Sequence, residues 1–305
     1  MSILTIQNLS KSFGEQKVID NLSFDVPEGS IFGFIGQNGA GKTTTMKMVL
    51  GLLKADGGEM TVCGEKVVFG QTKTNEHIGY LPDVPEFYGY MRPQEYLKLC
   101  GQITGMPDET IQKRSDELLA LVGLTGIKKK ISGFSRGMKQ RLGIAQALLN
   151  EPKLLICDEP TSALDPIGRK EILEILRQVK GKTTVIFSTH ILSDVERICD
   201  RIAVIDKGAL ALSGTISELK AQHKISGLTI DFASAADKEK FTILESIAPL
   251  MAGAEQTDTS VTLSTADVGR AEFAVLGALT QNAILPVKLE VLEPNIESLF
   301  MEVVK

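Results

Sequence analysis

The stretch Gly36–Thr44, "GQNGAGKTT", follows the apolar run Ile31–Ile35 and leads into a helix-forming segment that extends from Lys42 to Gly51. It fits the pattern G-x-x-x-x-G-K-[ST], which is typical of a phosphate-binding loop between a buried strand and a helix. We expect its backbone N–H groups to surround phosphate oxygens, Lys42 to reach the β- and γ-phosphates, and Thr43 to ligate magnesium. The predicted nucleotide-binding residues are Gly36, Gln37, Asn38, Gly39, Ala40, Gly41, Lys42, Thr43 and Thr44.

Two acidic residues follow a second apolar run, in "KLLICDEP" from Lys153 to Pro160. A buried parallel strand here would place Asp158 and Glu159 at its carboxyl end, beside the phosphate loop. We expect Asp158 to hold magnesium, directly or through water, and Glu159 to polarise an attacking water.

A third apolar run, "VIFSTH", ends at His190. A lone histidine is more often structural than functional, but a position at a strand end beside a nucleotide favours a functional role. There His190 would hydrogen-bond a γ-phosphate oxygen and orient the water.

The hydrophobic pattern of the first 220 residues predicts an α/β domain with a mostly parallel core and antiparallel strands at its N-terminus. Two predicted helices form a helical insertion at about residues 90–150, where a further helical apolar rhythm follows Ser132. The predicted strands are Ile3–Leu9, Val18–Val26, Ile31–Ile35, Gly58–Val68, Lys153–Cys157, Thr183–Ser188 and Ile202–Ile205. The predicted helices are Lys42–Gly51, Pro93–Gly105, Asp108–Val122 and Pro166–Val179.

Residues 221–305 predict a small α+β accessory domain, with its first strand after about Lys224. A chain of 305 residues is long enough for two domains or for one large one. The tail has no visible catalytic cluster. Its predicted strands are Leu228–Phe232, Val261–Leu263 and Val287–Val291, and its predicted helices are Lys238–Leu250, Val268–Leu279 and Ile296–Val303.

The net charge of −5 comes entirely from the tail, since residues 220–305 hold 7 basic and 12 acidic residues while the remainder holds 26 of each. No basic stripe suggests a nucleic-acid partner. The four cysteines are far apart, which disfavours a zinc site or a disulfide framework and suits a reducing cytosol. No apolar run approaches the ~18–20 residues that span a bilayer, so a role at a membrane would require a separate membrane subunit.

The motifs GQNGAGKTT, FSRGMKQR, LLICDEP, SALD and STH, in that order, resemble the ATP-binding cassette (ABC) family over about Ile3 to Leu219. The resemblance implies a P-loop ATPase that uses ATP and Mg2+, with Lys42, Glu159 and His190 as catalytic residues. It also implies that Phe13 stacks on adenine, although a core or strand-end phenylalanine is the alternative for that position.

The same resemblance implies a site shared between two copies of the chain. FSRGM stands where the family has its LSGGQ signature, so Ser135, Arg136, Gly137 and Met138 would face the γ-phosphate bound by a second copy. The "SALD" stretch matches the loop that crosses to the partner, the D-loop, which here comprises Ser162, Ala163, Leu164 and Asp165.

Two positions depart from the family pattern. Asp83, in "IGYLPDVPEFYGYM", replaces the usual glutamine, so this position offers magnesium a second carboxylate as a ligand and offers the attacking water no amide donor. Arg136 replaces a signature glycine, so its side chain must point away from the phosphate or add a cation near it.

The Asp83 variant, the FSRGMKQR form and the ending "LEPNIESLF" resemble ATPase subunits of bacterial antibiotic and multidrug exporters. This implies a cytoplasmic protein, peripheral on the cell membrane, that pairs with a second copy of itself and with separate membrane permeases, with no nucleic acid. The segment Asp83–Met91 would help to form a groove for a permease helix. A soluble non-transport ABC ATPase and an importer ATPase are the alternatives.

Overall fold

A computed structural model describes residues 1–222, 226–265, 267–292 and 296–304. The chain divides into two compact units, Met1–Ile216 and Ser217–Glu302. The expected start of the tail domain near Lys224, and residues 293–295 of "LEPNIESLF", lie outside the described residues.

The first unit contains a four-stranded antiparallel sheet and a six-stranded sheet. Its elements are β1 Ser2–Phe13, β2 Gln16–Pro27, β3 Ile31–Ile35, α1 Lys42–Val49, β4 Gly57–Val62, β5 Glu65–Lys66, β6 Ile78–Leu81, α2 Pro93–Ile103, α3 Asp108–Leu121, α4 Arg136–Ala147, β7 Leu154–Asp158, α5 Pro166–Val179, β8 Thr184–Thr189, α6 Leu192–Ile198, β9 Arg201–Asp206 and β10 Ala209–Thr215. The small sheet has the order β2-β1-β4-β5 and the large sheet the order β10-β9-β3-β8-β7-β6. The strands β9 to β6 of the large sheet run parallel, and β10 is antiparallel to β9, so the predicted fold class is confirmed.

The small sheet packs over the strand that leads into the phosphate loop. Phe24 of β2 stacks on Phe32 and Phe34 of β3, with ring centroids 5.6 and 5.2 Å apart. Both β3 rings are fully buried, and burial of a phenylalanine side chain contributes about 1.5–3 kcal/mol. This packing holds the end of β3 in place.

Strand β6, with the sequence "IGYL", is not among the strands predicted from the sequence. It pairs in parallel with β7, from Ile78 opposite Leu154 to Leu81 opposite Cys157. Helix α4 covers this edge so closely that a Cβ atom on Gly79 would lie 2.1 Å from the Ala147 carbonyl oxygen. The short run of four residues gave too little periodicity to distinguish a strand from a loop.

The second unit is a four-stranded antiparallel sheet with helices. Its elements are α7 Ile216–Gln222, β11 Ser226–Phe232, α8 Ala235–Thr242, β12 Glu255–Gln256, β13 Ser260–Thr265, α9 Val268–Gln281, β14 Pro286–Leu292 and α10 Ile296–Val303. The strand order is β12-β13-β11-β14. Its core includes Leu228, Ile230, Leu263 and Val275, all fully buried.

The predicted helix Lys238–Leu250 was wrong. The Ser234 hydroxyl accepts a hydrogen bond from the Asp237 amide, so α8 starts earlier than predicted. The helix ends at Thr242, and a separate 3-10 turn covers Ala248–Leu250. Pro249 has no N–H for a helical hydrogen bond, so an α-helix could not run unbroken to Leu250.

Candidate functional site

The phosphate loop connects β3 to α1 in a conformation that requires glycine. Gly39 and Gly41 have φ angles of 86° and 106°, which favour glycine. A Cβ atom on Gly41 would also lie 2.4 Å from Ile19 Cδ1. The first amides of a helix have no partner within the helix, so the start of α1 is suited to binding an anion.

The Lys42 side chain folds back over this loop. Its Nζ donates hydrogen bonds to the carbonyl oxygens of Gly36 and Gln37, at 2.7 and 3.2 Å. It also lies 3.2 Å from Glu159 Oε1, and the Lys42 side chain is only 6% exposed. The ammonium group therefore lies where the loop meets the end of β7.

Asp158 ends β7 and is fixed by two hydroxyl groups. Its Oδ2 accepts a hydrogen bond from Thr43 at 2.7 Å, across 115 positions of sequence, and its Oδ1 accepts one from Ser188 at 3.1 Å. Magnesium binds oxygen ligands, commonly one or two carboxylates together with substrate phosphates. The Thr43 hydroxyl and the Asp158 carboxylate, brought together at the mouth of the loop, fit that ligand preference.

Glu159 adopts a strained backbone conformation, with a φ angle of 49°. Such a conformation costs about 1–3 kcal/mol in a non-glycine residue and is concentrated at functional sites. The Oε2 atom of Glu159 lies 2.9 Å from His190 Nδ1. Its Oε1 atom is buried and has no hydrogen-bond partner, although Lys42 Nζ is within ion-pair distance. The histidine thus contacts one carboxylate oxygen of Glu159, and the Lys42 ammonium lies beside the other.

Phe13, at the end of β1, presents an open ring. Its side chain is 51% exposed, and Lys11 Nζ lies 5.4 Å from the ring centroid. The exposure argues against a core phenylalanine, whereas an adenine-stacking ring and a strand-end phenylalanine would both be open.

The signature residues form the first turn of α4. Ser135 caps this helix, since its Oγ accepts a hydrogen bond from the Met138 amide at 3.3 Å. Ser135 and Arg136 are exposed, while Gly137 and Met138 are half-buried. A Cβ atom on Gly137 would have Leu164 Cδ2, at 3.9 Å, as its nearest neighbour, so the backbone here is open to approach.

The D-loop lies beside the signature turn of the same chain. The two segments line a shallow pocket of about 370 Å³. The Ser162 amide donates to the Glu159 carbonyl oxygen at 3.1 Å, and Asp165 caps α5 by accepting a hydrogen bond from the Gly168 amide at 3.0 Å. Ala163, with a φ angle of 53°, is exposed between these anchors. Glu159 is thus linked by one hydrogen bond to the segment that precedes α5.

The two departures from the family pattern contact each other. Arg136 lies 3.3 Å from Asp83 Oδ1, and Gln140 Nε2 donates to the Asp83 carbonyl oxygen at 2.6 Å. Burial raises the pKa of the Asp83 carboxyl, and the Arg136 charge opposes that rise. Helix α4 thus holds both the side chain and the backbone of Asp83.

Sequence reasoning missed Ser188 and Gln140 as supporting residues. Ser188 could have been found, because it lies two positions before His190 on a strand predicted to end at the nucleotide. Gln140 gave no such signal, since its partner Asp83 is 57 positions away.

Comparison with known proteins shows which family these features represent. Residues 19–162 match the family model described as ABC transporter. The linearmycin resistance ATP-binding protein LnrL of Bacillus subtilis (strain 168) is 34% identical over 304 residues, covering 98% of this chain and 97% of LnrL. This chain belongs to the ABC transporter family. It is an ATP-binding protein of that family, whose members hydrolyse ATP.

Two further ABC proteins support this assignment. The bacitracin transport ATP-binding protein BcrA of Bacillus licheniformis is 41% identical over 228 residues, covering 73% of each chain. A solved structure described as the ATP-binding subunit of an ABC transporter superposes with a TM-score of 0.66 at 32% identity, covering 72% of this chain and 93% of that one. Within the described residues, no helix has the length and apolar character needed to cross a membrane.

Proposed function

We propose that this chain is the ATPase subunit of a bacterial ABC exporter. It would work as a head-to-tail pair with a second copy and drive a separate membrane permease from the cytoplasmic side. The observation that carries the proposal is the convergence of Lys42, Asp158, Glu159 and His190 at the mouth of the phosphate loop. The similarity to LnrL supports the exporter class because it extends over the tail as well as the cassette.

In this proposal each part of the nucleotide has its own residues. Phe13 would stack on adenine, and the loop amides with Lys42 would hold the phosphates. Thr43 and Asp158 would hold Mg2+, which would neutralise the negative charge that develops on the phosphate oxygens. Asp83 is a candidate further ligand only when its carboxylate is released from Arg136.

Hydrolysis would use Oε1 of Glu159, which has no hydrogen-bond partner and lies 3.2 Å from Lys42 Nζ. A water hydrogen-bonded to Oε1 attacks the γ-phosphorus, its proton passes to the carboxylate, and the bond from phosphorus to the β-bridging oxygen breaks to give ADP and phosphate. The contact with His190 would hold the other oxygen, Oε2, and leave Oε1 to accept the proton. Lys42 would stabilise the charge on the departing phosphate.

A second copy would complete the site through its signature turn. Ser135 uses a lone pair to cap α4, so its hydroxyl proton remains able to bond a γ-phosphate oxygen of the other chain. The positive end of the α4 dipole adds to this attraction. The exposed signature turn and D-loop lie side by side, as a surface that meets a partner would require.

The segment after Asp83 would contact the permease. Val84, Tyr88 and Tyr90 are 61, 55 and 67% exposed, and the two tyrosine rings lie 5.9 Å apart. Exposed aromatic residues are common centres of protein interfaces. Tyr88 and Tyr90 lie near the end of the segment Asp83–Met91, and α4 contacts its first residue, Asp83. A permease bound at the tyrosines could therefore influence the signature turn at the start of α4.

We expect the full chain to co-purify from membranes with an integral membrane partner. The double substitution Tyr88→Ser with Tyr90→Ser should reduce the recovery of that complex at least ~10-fold, because interface aromatics each contribute about 1–2 kcal/mol or more. The matched control is Ile103→Ser, which removes an apolar side chain that is 74% exposed on α2. Equal recovery of the tyrosine variant, or a wild-type chain that never associates with membranes, would reject the transport proposal while leaving ATP hydrolysis intact.

We also expect Asp83 and Arg136 to act as a pair. If they do, Asp83→Asn and Arg136→Gln will lower the ATPase rate by similar factors of about 2–5, since an exposed ion pair contributes about 0.2–1 kcal/mol. The double variant will be no slower than either single variant, because the coupling is lost once. Steady-state rates as a function of Mg2+ concentration provide the measurement. Additive losses, with a raised Mg2+ requirement in Asp83→Asn alone, would instead make Asp83 a metal ligand.

A further inference from the structure

Strand β14 forms one edge of the second unit's sheet. It pairs with β11, and no other strand of the described ranges lies on its far side. Edge strands carry unpaired backbone groups that can bind another strand, so proteins usually protect them with charges, prolines or covering elements. In β14 the proline lies at the first position, Pro286, and a bulge follows it, since Phe232 of β11 lies opposite Pro286 while the preceding residue, Asp231, lies opposite Lys288. From Lys288 to Leu292 the ladder with β11 is regular, so this part of the strand is able to pair on its far side.

One face of β14 is apolar and incompletely covered. Leu289 lies opposite Ile230, and Val291 opposite Leu228, both of which are fully buried core residues. Opposite residues of an antiparallel pair point to the same face, so Leu289 and Val291 belong to the core face. Val291 is nevertheless 41% exposed, and Val287, two residues before Leu289, is 70% exposed. Apolar surface therefore continues to the open edge.

The opposite face of β14 carries one charge of each sign. Lys288 Nζ and Glu290 Oε2 lie within hydrogen-bond distance, so both side chains point to the same face. These two residues lie on either side of Leu289. The run Val287–Val291, "VKLEV", therefore has the same order of apolar and charged positions in both directions, with a positive charge on one side of Leu289 and a negative charge on the other.

This symmetry selects one mode of pairing between two copies. Antiparallel pairing centred on Leu289 places Val287 opposite Val291 of the second copy, and Lys288 opposite Glu290 of the second copy. A shift of the centre to Lys288 or to Glu290 brings like charges face to face, which is destabilising. A centre halfway between two residues moves apolar side chains to the charged face.

We propose that β14 pairs antiparallel with β14 of a second copy of this chain, centred on Leu289, and joins the two four-stranded sheets into one continuous sheet. The pairing involves neither nucleotide nor catalytic residues, so it goes beyond the proposed function. Two strands of seven residues bury far less than the ~1,200 Å² of a stable interface. The contact is therefore weak and reversible, and a disulfide bond across it would trap the pair as it forms.

Cysteine crosslinking of the full chain without nucleotide tests the register. Leu289→Cys faces itself across the twofold axis, with Cα atoms about 4.5–5.5 Å apart, which suits a disulfide. The matched control is Val287→Cys, whose two copies lie four residues apart along the strands, about 13 Å. We expect a disulfide-linked dimer from Leu289→Cys, none from Val287→Cys, and a linked heterodimer when Val287→Cys and Val291→Cys chains are mixed. Equal crosslinking of both single variants, or none from a folded Leu289→Cys chain, overturns the proposal.

The charges provide a second test, in which every chain carries the same Leu289→Cys substitution. In the Leu289→Cys background, Lys288→Glu and Glu290→Lys should each reduce crosslinking several-fold, because each places like charges opposite each other. Mixing the two chains should restore crosslinking between them, since the carboxylates at positions 288 and 290 of one chain would then face the ammonium groups at positions 290 and 288 of the other.

Within each of these variant chains the pair at positions 288 and 290 stays broken, so recovery on mixing requires a contact between chains. If mixing does not restore crosslinking, the two charges act only within one chain, and the proposed register centred on Leu289 is overturned. Failure of ATP hydrolysis leaves both crosslinking results unchanged, so the two proposals fail separately.

Discussion

Replacement of Glu159 by Gln is expected to reduce ATP hydrolysis by about 10²–10⁴-fold, the usual contribution of a general base, while ATP binding is retained. Gln keeps the length of the side chain and can still hydrogen-bond water, but it cannot accept a proton. The oxygen that loses this capacity is Oε1, which is buried without a hydrogen-bond partner. Phosphate release measures turnover, and nucleotide binding is measured separately on the same protein.

The Glu159→Gln variant should accumulate as an ATP-bound dimer, because a dimer held together by ATP cannot dissociate until the ATP is hydrolysed. Size-exclusion chromatography with Mg2+ and ATP would detect it. The matched control is Glu174→Gln, which changes an exposed glutamate on α5. This variant should hydrolyse ATP at the wild-type rate and should not accumulate as a stable dimer. Near wild-type hydrolysis by Glu159→Gln would remove Glu159 from the role of base.

The phosphate loop could be predicted from sequence because its signal is local. Consecutive residues from Gly36 to Thr44 must all adopt one backbone path, and Gly39 and Gly41 have the φ angles which that path requires. The strand ends at Asp158 and His190 were also predictable, since a buried apolar run followed by polar residues fixes where a parallel strand stops. The structure brings these separate signals to one place.

The Asp83–Arg136 contact could not be predicted, because the residues are 53 positions apart and neither neighbourhood specifies the other. The contact depends on how α4 packs over β6, where glycines at positions 79 and 143 permit close approach. Each residue alone was an unexplained departure from the family pattern. Their opposite charges were the one indication in the sequence that they could contact each other, and only the fold shows that they are close enough to do so.

The end of α8 was mispredicted for a different reason. Apolar residues recur through the predicted helix Lys238–Leu250, and periodicity alone favours one long helix. The structure instead ends α8 at Thr242 and buries Ile247 fully in the core of the second unit. The packing of Ile247 in this core therefore overrode the local pattern.

The second large effect is expected from mixing two inactive chains. Ser135→Arg fills the exposed signature turn with a long cation, and its loss of the cap costs only about 1 kcal/mol, so each monomer should still fold and bind ATP. Lys42→Ala removes the phosphate-loop ammonium. Each homodimer should be inactive, because every site needs Lys42 from one chain and Ser135 from the other.

A heterodimer of these chains contains one intact site, formed by Lys42 of the Ser135→Arg chain and Ser135 of the Lys42→Ala chain. An equal mixture should therefore recover about a quarter of wild-type ATPase activity per chain, since half of randomly formed dimers are heterodimers with one working site of two. The matched control mixes the Ser135→Arg chain with a chain carrying both substitutions, which provides no intact signature turn and should recover nothing. If the first mixture stays inactive while native gels show that heterodimers form, each chain must carry its catalytic site alone, and the exposed turn at the start of α4 must serve some other contact.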